Sequence, residues 1–464
     1  MAMKKLIAAA LAVTLLGSTL AGCSSGDKNT GGTDSTGTKT EAGSEKQGNE
    51  NQGSESQGSE NKTADSGERE KLEFWGWWGS EARKPVLEEA VKMFNESQDK
   101  YEVTYVNLPW GDVFTKNIAQ IAAGNPTDIM ANTLEEVRFR AEQGQVESLD
   151  DFLKKDEGTG GDSFIEQDLN ACTGEDGSVY ALPFSVDTRV IYYNKDHFTE
   201  AGLDPENPPK TWDELKEAAY KLEKKNGDTF ERIGFLPLLG NGGLDSWVCN
   251  ANKGQIWYDD SEVPAVDTDI NKDVFKWVDE FTQHYGRNTY NEMSAAFKSG
   301  MQDPFSSGKL SMLLQTSAYV SSLKQTNPDL NYGVMLMPEY KEGNGHTVNG
   351  SGFVLEIPKG AKNPEGSYEF IKFMTSKDMQ EFLCERLGDF SARTDFDKNG
   401  AFLSDPITAK ISEALSDTKA AITPNNMKGY TDIINPLIEE GTLGVKSTDD
   451  ALANAQKAFQ DFLK

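Results

Sequence analysis

Three tryptophans within four residues are the feature of the sequence best suited to bind a ring-shaped ligand. Trp75, Trp77 and Trp78 lie where the strand-like segment 71–75 gives way to the Gly-containing loop 76–80. Ligands of open α/β sheets bind beyond the carboxyl ends of the strands, and indole faces pack against the apolar C–H faces of sugar rings. Alternation along the strand predicts that Trp75 is in the core. We expect Trp77 or Trp78 in a pocket; the alternative is that one or two of these rings pack inside the domain.

A carboxylate and a guanidinium two residues apart form the second candidate. Asp187 and Arg189 lie in the run 180–195, and two residues so spaced on an extended segment point to the same face. A carboxylate accepts and a guanidinium donates hydrogen bonds, which suits the hydroxyls of a sugar. The pair therefore indicates ligand binding, with a surface salt bridge as the alternative.

Metal, phosphate-loop and cofactor chemistry is not indicated. The chain has three histidines and four cysteines, without Cys-x-x-Cys or His-Glu-x-x-His spacing. It also lacks a phosphate loop and a dinucleotide fingerprint. The segment that starts at Asp395 begins like an EF-hand loop, but its twelfth position is Pro406 instead of a bidentate glutamate. We predict no metal site and no cofactor.

The elements that must position these residues alternate between strand and helix. After the strand 71–75, helical spacing of Leu87, Ala90, Val91 and Phe94 predicts a helix. A strand over 101–108, a helix over 112–123 and a strand over 127–131 follow. This order is typical of βαβ units, so we predict an α/β fold with mostly parallel sheets flanked by helices.

The N-terminal residues have the features of a cleaved leader followed by a tether. Residues 1–22 have a basic start, an apolar run and small residues before Cys23, which is the pattern of a secretory signal peptide. Leu-Ala-Gly-Cys resembles the lipobox of bacterial lipoproteins, which implies lipidation of Cys23; an ordinary cleaved signal is the alternative. Residues 23–70 hold almost no apolar side chains, so we predict a disordered tether.

The composition limits the number of domains, the class of partner and the state of the cysteines. The 464 residues are 37% hydrophobic, enough for two or three domains with a real core. A net charge of -29 repels phosphate backbones, so nucleic acid is not an expected partner. Cys172, Cys249 and Cys384 remain after lipidation, and they form either one disulfide with one free thiol or three buried apolar side chains.

Several segments together resemble one known family. Residues 180–195, followed by 201–203 and 208–215, resemble the signature of family 1 extracellular solute-binding proteins of ABC importers, which include maltose-binding proteins. Residues 125–129 resemble the family's third strand, 305–312 its return into the first lobe and 350–352 a later crossing. The lipobox and tether are what a Gram-positive member needs.

The resemblance implies a class II two-lobed fold with a ligand cleft between the lobes. It places the N-terminal lobe at 71–186 plus 312–350 and the C-terminal lobe at 187–311 plus 351–464. Asp187 aligns with an acidic ligand contact, and Trp247 falls where family members carry a cleft aromatic residue. Gln315 and Tyr319 fall where the return strand delivers another cleft residue; simple packing is the alternative for these three. Together with the residues argued above, the predicted ligand-binding set is Trp77, Trp78, Glu81, Arg83, Asn132, Asp187, Arg189, Trp247, Gln315, Tyr319, Gly350 and Ser351.

Three functions follow from these observations. The first is a carbohydrate receptor, monomeric and held at the outer face of the cytoplasmic membrane by lipid alone, which delivers sugar to an ABC permease by hinge closure. The second is a secreted glycan-active enzyme with paired carboxylates such as Asp187 and Glu81. The third is an adhesion or scaffold lipoprotein, which predicts an exposed apolar patch.

Overall fold

The computed structural model describes residues 68–464 except 157–162, 228, 300–302, 397–399 and 421. The predicted signal peptide, Cys23 and all but the end of the tether lie outside the described residues. In the part of the chain that is described, no helix combines the length and the apolar character needed to cross a bilayer.

The described chain alternates strands and helices. The strands are β1 (Glu70–Gly76), β2 (Tyr101–Asn107), β3 (Ile129–Thr133), β4 (Ala181–Asp187), β5 (Arg189–Asn194), β6 (Lys224–Asn226), β7 (Thr229–Arg232), β8 (Met312–Thr316), β9 (Tyr332–Met335), β10 (Val348–Glu356) and β11 (Thr418–Ala420).

The helices follow the same chain order. They are α1 (Lys84–Ser97), α2 (Asp112–Ala122), α3 (Val137–Glu142), α4 (Asp150–Leu153), α5 (Glu166–Ala171), α6 (Lys195–Glu200), α7 (Trp212–Leu222), α8 (Gly243–Ala251), α9 (Asp269–Tyr285), α10 (Arg287–Ser299), α11 (Tyr319–Thr326), α12 (Pro364–Met374), α13 (Lys377–Leu387), α14 (Ala401–Ser404), α15 (Pro406–Ala414), α16 (Tyr430–Thr442) and α17 (Thr448–Phe462). Within the described ranges, short 3₁₀ turns lie at Leu134–Glu136, Leu415–Asp417 and Asn425–Met427.

The first sheet has the strand order β11-β10-β3-β1-β2, with β4 also paired to β10. β1 pairs in parallel with both β2 and β3, so these three strands end at the same edge. The βαβ units predicted for residues 71–131 are confirmed, and Trp75 is buried as its place in the strand predicts. Leu87, Ala90 and Phe94 of α1 are buried against this sheet.

The second sheet has the order β8-β5-β9, and both neighbours run antiparallel to β5. The prediction of a mostly parallel sheet in each lobe is therefore wrong for these named strands. The alternation rule fails here because β5 lies between β8 and β9, which follow it much later in the chain, and neither neighbour is joined to β5 by a single crossover helix. Among the described residues of this lobe, parallel contacts are isolated bridges, such as Ile233 to Leu310.

The strand pairings also correct the predicted division of the second half of the chain. The prediction assigns 312–350 to the N-terminal lobe, but β8 and β9 pair with β5 in the second sheet. It assigns 351–464 to the C-terminal lobe, but β10 pairs with β3 and β4 in the first sheet. Phe370 of α12 packs on Phe74 of β1, which adds α12 to the first lobe. Strand partners depend on tertiary pairing, which a local pattern does not reveal.

Buried aromatic rings fill the second lobe. Trp247 of α8 packs on Trp212, Phe235 and Trp277 at centroid distances of 5.2, 5.7 and 4.7 Å. Helix α7 begins at the predicted cap, where the Thr211 side chain accepts a hydrogen bond from the Glu214 amide. The described cysteines of the globular body are free and buried, in agreement with the apolar alternative (Cys172, Cys249 and Cys384).

Candidate functional site

Four aromatic rings meet beyond the carboxyl ends of β1 and β2. Trp77 follows β1, Trp110 follows β2, Phe114 lies in α2 and Phe353 lies in β10. The Trp77 ring is 4.6 Å from Trp110 and 5.1 Å from Phe353 between centroids, and Trp110 is 5.1 Å from Phe114. Trp110 is 56% exposed. We call these four residues the aromatic face; its partly exposed indoles can stack on an apolar ring face.

Trp78 supports this surface from behind. It is 3% exposed, stacks on Trp77 at 4.9 Å and packs edge-on against Phe184. Its amide donates to the Tyr105 hydroxyl at 2.9 Å, which fixes the loop after β1. The predicted pocket role therefore suits Trp77, while burial makes Trp78 a packing residue.

A polar cluster lies where β4 passes into β5. Arg189 donates to Asp187 Oδ1 at 3.0 Å, and the same oxygen accepts from the Ser351 amide at 2.8 Å. The Ser351 hydroxyl donates to Glu135 Oε2 at 2.8 Å. We call Glu135, Asp187, Arg189 and Ser351 the polar cluster. It joins the end of β3, the end of β4 and the middle of β10, with free carboxylate lone pairs that can accept from hydroxyls.

The strands that cross between the lobes lie against this cluster. Gly350 pairs with Ala420 of β11, and a Cβ at Gly350 would come within 2.0 Å of Thr418 Cγ2. The Thr188 and Thr418 hydroxyls are 2.6 Å apart. Gly350 therefore allows the close approach of the crossing strands and offers no side chain to a ligand.

A second ion pair fixes the start of α1. Arg83, just before this helix, forms an ion pair with Asp389, which is nearly buried. Phe390 bridges to Val186 of β4, so Asp389 lies beside the polar cluster. The sequence predicts Arg83 as a ligand contact. In the structure its guanidinium is paired with the Asp389 carboxylate, and its buried Nε has no partner among the described residues.

Burial raises the pKa of three carboxyl groups in and beside the polar cluster. Burial raises the pKa of Asp187, although Arg189 and the Ser351 amide oppose the shift. Burial also raises the pKa of Glu135, to which the nearby Asp187 charge adds. The pKa of Asp389 is raised by burial against the opposing effect of Arg83. Three carboxyl groups thus face two guanidiniums, and the Arg189 Nε is buried without a partner among the described residues.

Four predicted ligand contacts are engaged elsewhere. Trp247 is fully buried and donates to the Pro237 carbonyl at 2.7 Å. Tyr319 is buried and donates to Asp303. The Gln315 Oε1 accepts from the Thr316 amide at 2.8 Å. Asn132 is buried and donates to Glu356 at 3.1 Å. Each of these side chains contacts the protein interior, and its predicted role in ligand binding stays a prediction.

Glu81 is the remaining predicted contact, and it is exposed in the loop between β1 and α1. Five residues of the site are outside the predicted set (Trp110, Phe114, Glu135, Phe353 and Asp389). Trp110 and Glu135 each follow a parallel strand of the first sheet, as Trp77 does, so the rule that found Trp77 also applies to them. Phe353 and Asp389 had no such local signal, because they arrive through long-range pairing of β10 and of Phe390.

Comparisons with known proteins agree with this arrangement. The bacterial extracellular solute-binding protein family matches residues 78–381, more than half of the chain. The sn-glycerol-3-phosphate-binding periplasmic protein UgpB of Brucella melitensis is 25% identical over 414 residues, which cover 82% of this chain and 91% of that protein.

Solved structures share the two-lobed architecture. CpMnBP1, solved with mannotriose bound, matches with a TM-score of 0.74 and 26% identity over 84% of this chain and 100% of that chain. The GacH receptor of Streptomyces glaucescens matches with a TM-score of 0.71 and 23% identity over 85% of this chain and 98% of that chain. The chain belongs to the bacterial extracellular solute-binding protein family.

Proposed function

We propose that the protein is an extracellular carbohydrate receptor of an ABC importer. One observation carries the proposal: a partly exposed aromatic face lies beyond β1 and β2, and a buried carboxylate–guanidinium cluster lies at the same edge of the first sheet. Aromatic rings supply contact area to the C–H faces of a sugar, and the polar groups supply directional hydrogen bonds to its hydroxyls. The proposed contacts are Trp77, Trp110, Glu135, Asp187, Arg189 and Ser351.

The charges favour a neutral ligand over a phosphate ester. The relative named for sn-glycerol-3-phosphate raises that ester as a second candidate. A phosphate needs cationic donors in excess, whereas Arg189 is bonded to Asp187 and Arg83 is bonded to Asp389. Glu135, whose pKa is raised by burial, adds a third carboxyl group. A neutral polyol can donate hydrogen bonds to the carboxyl groups and accept one from the Arg189 Nε–H, which has no partner among the described residues. It brings no further negative charge into the site.

Ligand capture would work by closure of the lobes about the crossing strands. Asp187 and Arg189 end one lobe and begin the other, and Ser351 lies in β10 of the first sheet. A ligand that bonds to groups on both sides favours the closed arrangement only by its higher affinity for it. The closed form would then be recognised by the permease, the second partner in this proposal.

Anchoring through lipidated Cys23 completes the proposal and places a monomeric receptor at the outer face of the membrane. A Cys23→Ser variant is expected to appear in the culture medium, with loss of the acyl-bearing N-terminal peptide in mass spectrometry. Retention of the variant in the membrane fraction would contradict lipid anchoring.

Titration calorimetry of the body against neutral oligosaccharides and sn-glycerol-3-phosphate tests the ligand class. We expect binding of a neutral sugar and none of the phosphate ester. Asp187→Asn should weaken sugar binding by about tenfold or more because a charged acceptor is lost, while the exposed Asp329→Asn should not change it. Tight binding of sn-glycerol-3-phosphate without any sugar binding would reverse the assignment.

Binding without catalysis is part of the proposal, since both the family and its solved relatives are described as binding proteins. Prolonged incubation with the bound oligosaccharide should leave it intact in chromatography. Release of shorter products that disappears in the Asp187→Asn variant would instead support the enzyme alternative.

A further inference from the structure

A cavity of about 630 Å³ opens between α1 and α12 at the edge of the first sheet opposite the aromatic face. Tyr101 in its wall is the first residue of β2, whereas Trp110 of the aromatic face follows the end of that strand. β2 has seven residues and is therefore roughly 20 Å long. The volume is within the range of small-molecule sites, about 300–1,000 Å³. We call it the basal cavity; its walls include Phe94, Lys100, Tyr101, Glu365, Glu369 and Phe373.

The floor of the basal cavity is aromatic. Phe94 of α1 and Phe373 of α12 meet edge-on at 5.4 Å between ring centroids, and Tyr101 lies beside them. A Cβ at Gly366 of α12 would come within 2.7 Å of the Tyr101 ring, so this glycine lets the helix pack directly on the ring. Phe373 is partly exposed. The cavity therefore offers apolar ring surface to the body of a small ligand.

Two carboxylates stand at the rim on the α12 side. Glu365 and Glu369 are both exposed, and they lie about one helical turn apart on the face of α12 that lines the cavity. Like charges at this spacing repel each other. Neither carboxylate forms an ion pair with a residue that the structure describes. A cation placed between them would relieve the repulsion, so the rim is complementary to positive charge.

The two lysines that line the cavity are already engaged. The Lys372 ammonium donates to Asp156 at 2.6 Å. The Lys100 ammonium lies 4.8 Å from the centroid of the Tyr101 ring. The Tyr101 hydroxyl raises the pKa of Lys100, and nearby carboxylates add to the shift, so this ammonium stays charged. The protein thus places its own cation over a ring of the cavity. Because Lys100 is exposed, a competing cation can displace it.

We propose that the basal cavity is a second binding site, which takes an organic amine with its ammonium between Glu365 and Glu369 and its apolar body on Phe373. Both parts of the ligand are needed, because an exposed ion pair alone contributes little in water. Lys100 is a built-in competitor for the cation. The site shares no residue with the aromatic face or the polar cluster, so it does not depend on sugar binding.

Three indole derivatives that differ in the charge of the side chain test the proposal by ligand-observed NMR on the full-length chain. Tryptamine, the cation, should bind with a Kd on the order of 1 mM. Neutral tryptophol should bind about fivefold more weakly or worse, and anionic indole-3-acetate should not bind. The double variant Glu365→Gln with Glu369→Gln should weaken tryptamine binding to the level of tryptophol. Glu217→Gln, on the exposed side of α7 in the second lobe, should not change it.

A second pair of variants separates the cavity from general attraction of cations to an acidic protein. Lys100→Met removes the competing ammonium and should strengthen tryptamine binding by about threefold or more. Lys92→Met removes the same charge from an exposed position of α1 outside the cavity and should have no effect.

Equal gains in the two variants, or equal binding of the three indoles, would overturn the amine site. Displacement of a bound sugar by excess tryptamine would place the amine in the sugar site and overturn it as well. Absence of sugar binding with intact tryptamine binding would overturn the receptor proposal alone. The melting temperature of each variant controls for altered folding.

Discussion

The two lobes use tryptophan in opposite ways. In the first lobe Trp77 and Trp110 form part of a partly open surface, and Trp110 is 56% exposed. In the second lobe Trp212, Trp247 and Trp257 are buried, and each indole N–H donates to a fixed acceptor: Asn250, the Pro237 carbonyl and Asp245. Trp78 also follows β1 and is only 3% exposed, so the groups that cover a ring, and not aromatic content or strand-end position alone, decide whether a tryptophan is available to a ligand.

The physical reason is the direction of the elements. The loops after β1 and β2 leave a parallel sheet at one edge, and Trp110 in the second of these loops is 56% exposed. The indoles of Trp212, Trp247 and Trp277 project from helices α7, α8 and α9 onto one another, and helix faces that pack together exclude solvent. Substitutions should therefore affect stability in one lobe and affinity in the other.

The largest effect is expected from Trp247→Ala. Removal of this fully buried ring leaves a cavity and an unpaired Pro237 carbonyl, which should lower the free energy of unfolding by about 3–5 kcal/mol. Chemical denaturation measures this change, and the ligand affinity of the folded fraction should stay the same. A tenfold loss of affinity with unchanged stability would return Trp247 to the ligand site and break the comparison.

A buried carboxyl in the first lobe gives the next largest effect. Asp168 is 3% exposed, its Oδ2 has no partner among the described residues, and burial raises its pKa from 3.8 to about 7. The folded protein therefore holds a proton that the unfolded chain releases, so stability falls as pH rises from about 4 to about 7, by roughly 4 kcal/mol at most.

Replacement of this carboxyl should remove that pH dependence. Asp168→Asn cannot ionise, so its melting temperature should change less between pH 4 and pH 7 than that of the parent chain. Glu166→Gln on the exposed face of the same helix should behave like the parent. Parallel pH profiles for all three proteins would show that Asp168 is ionised in the folded state and that its burial has no energetic consequence.

Trp110→Ala should affect binding and spare folding. More than half of this side chain is exposed, so its loss should change the free energy of unfolding by less than about 1 kcal/mol. Loss of a stacking ring should weaken sugar binding by roughly tenfold. Calorimetry and denaturation on the same preparation separate the two quantities. A large loss of stability with unchanged affinity would mean that the aromatic face is a packing surface like the tryptophan cluster of the second lobe.

The amino-acid sequence predicts this contrast only in part. Trp77, Trp110 and Glu135 all follow parallel strands, so one rule about strand ends accounts for the position of all three. Glycines precede Trp247 in the sequence, so the local pattern resembles that of a loop. Only the packing of α8 on α7 and α9 reveals that Trp247 is buried. Local patterns predict helices and strands well. The partners of β8 and β10 are β5 and β4, which lie more than a hundred positions earlier in the chain, so a local pattern does not reveal these pairings.

The smallest effect is expected where the lobes touch each other outside either tryptophan group. Lys428, before α16, forms an ion pair with Glu136 at the end of the 3₁₀ turn after β3, and its ammonium lies 5.4 Å from the Phe139 ring. Both ion-pair side chains are about one-third exposed, so the pair contributes little in water and is screened by salt. It still joins the two lobes, and it therefore favours arrangements in which they are close.

Lys428→Ala should weaken ligand binding by roughly two- to fivefold, because the arrangement in which the lobes are in contact loses an ion pair between them. The loss should be smaller at high sodium chloride, where the contact is screened in the parent chain as well. The exchanged pair Lys428→Glu with Glu136→Lys should recover part of the affinity, whereas either reversal alone should not. Equal effects at low and high salt would assign the change to packing on Phe139. In that case the contrast between the lobes would rest on aromatic burial alone, since the charges that connect them would not contribute to closure.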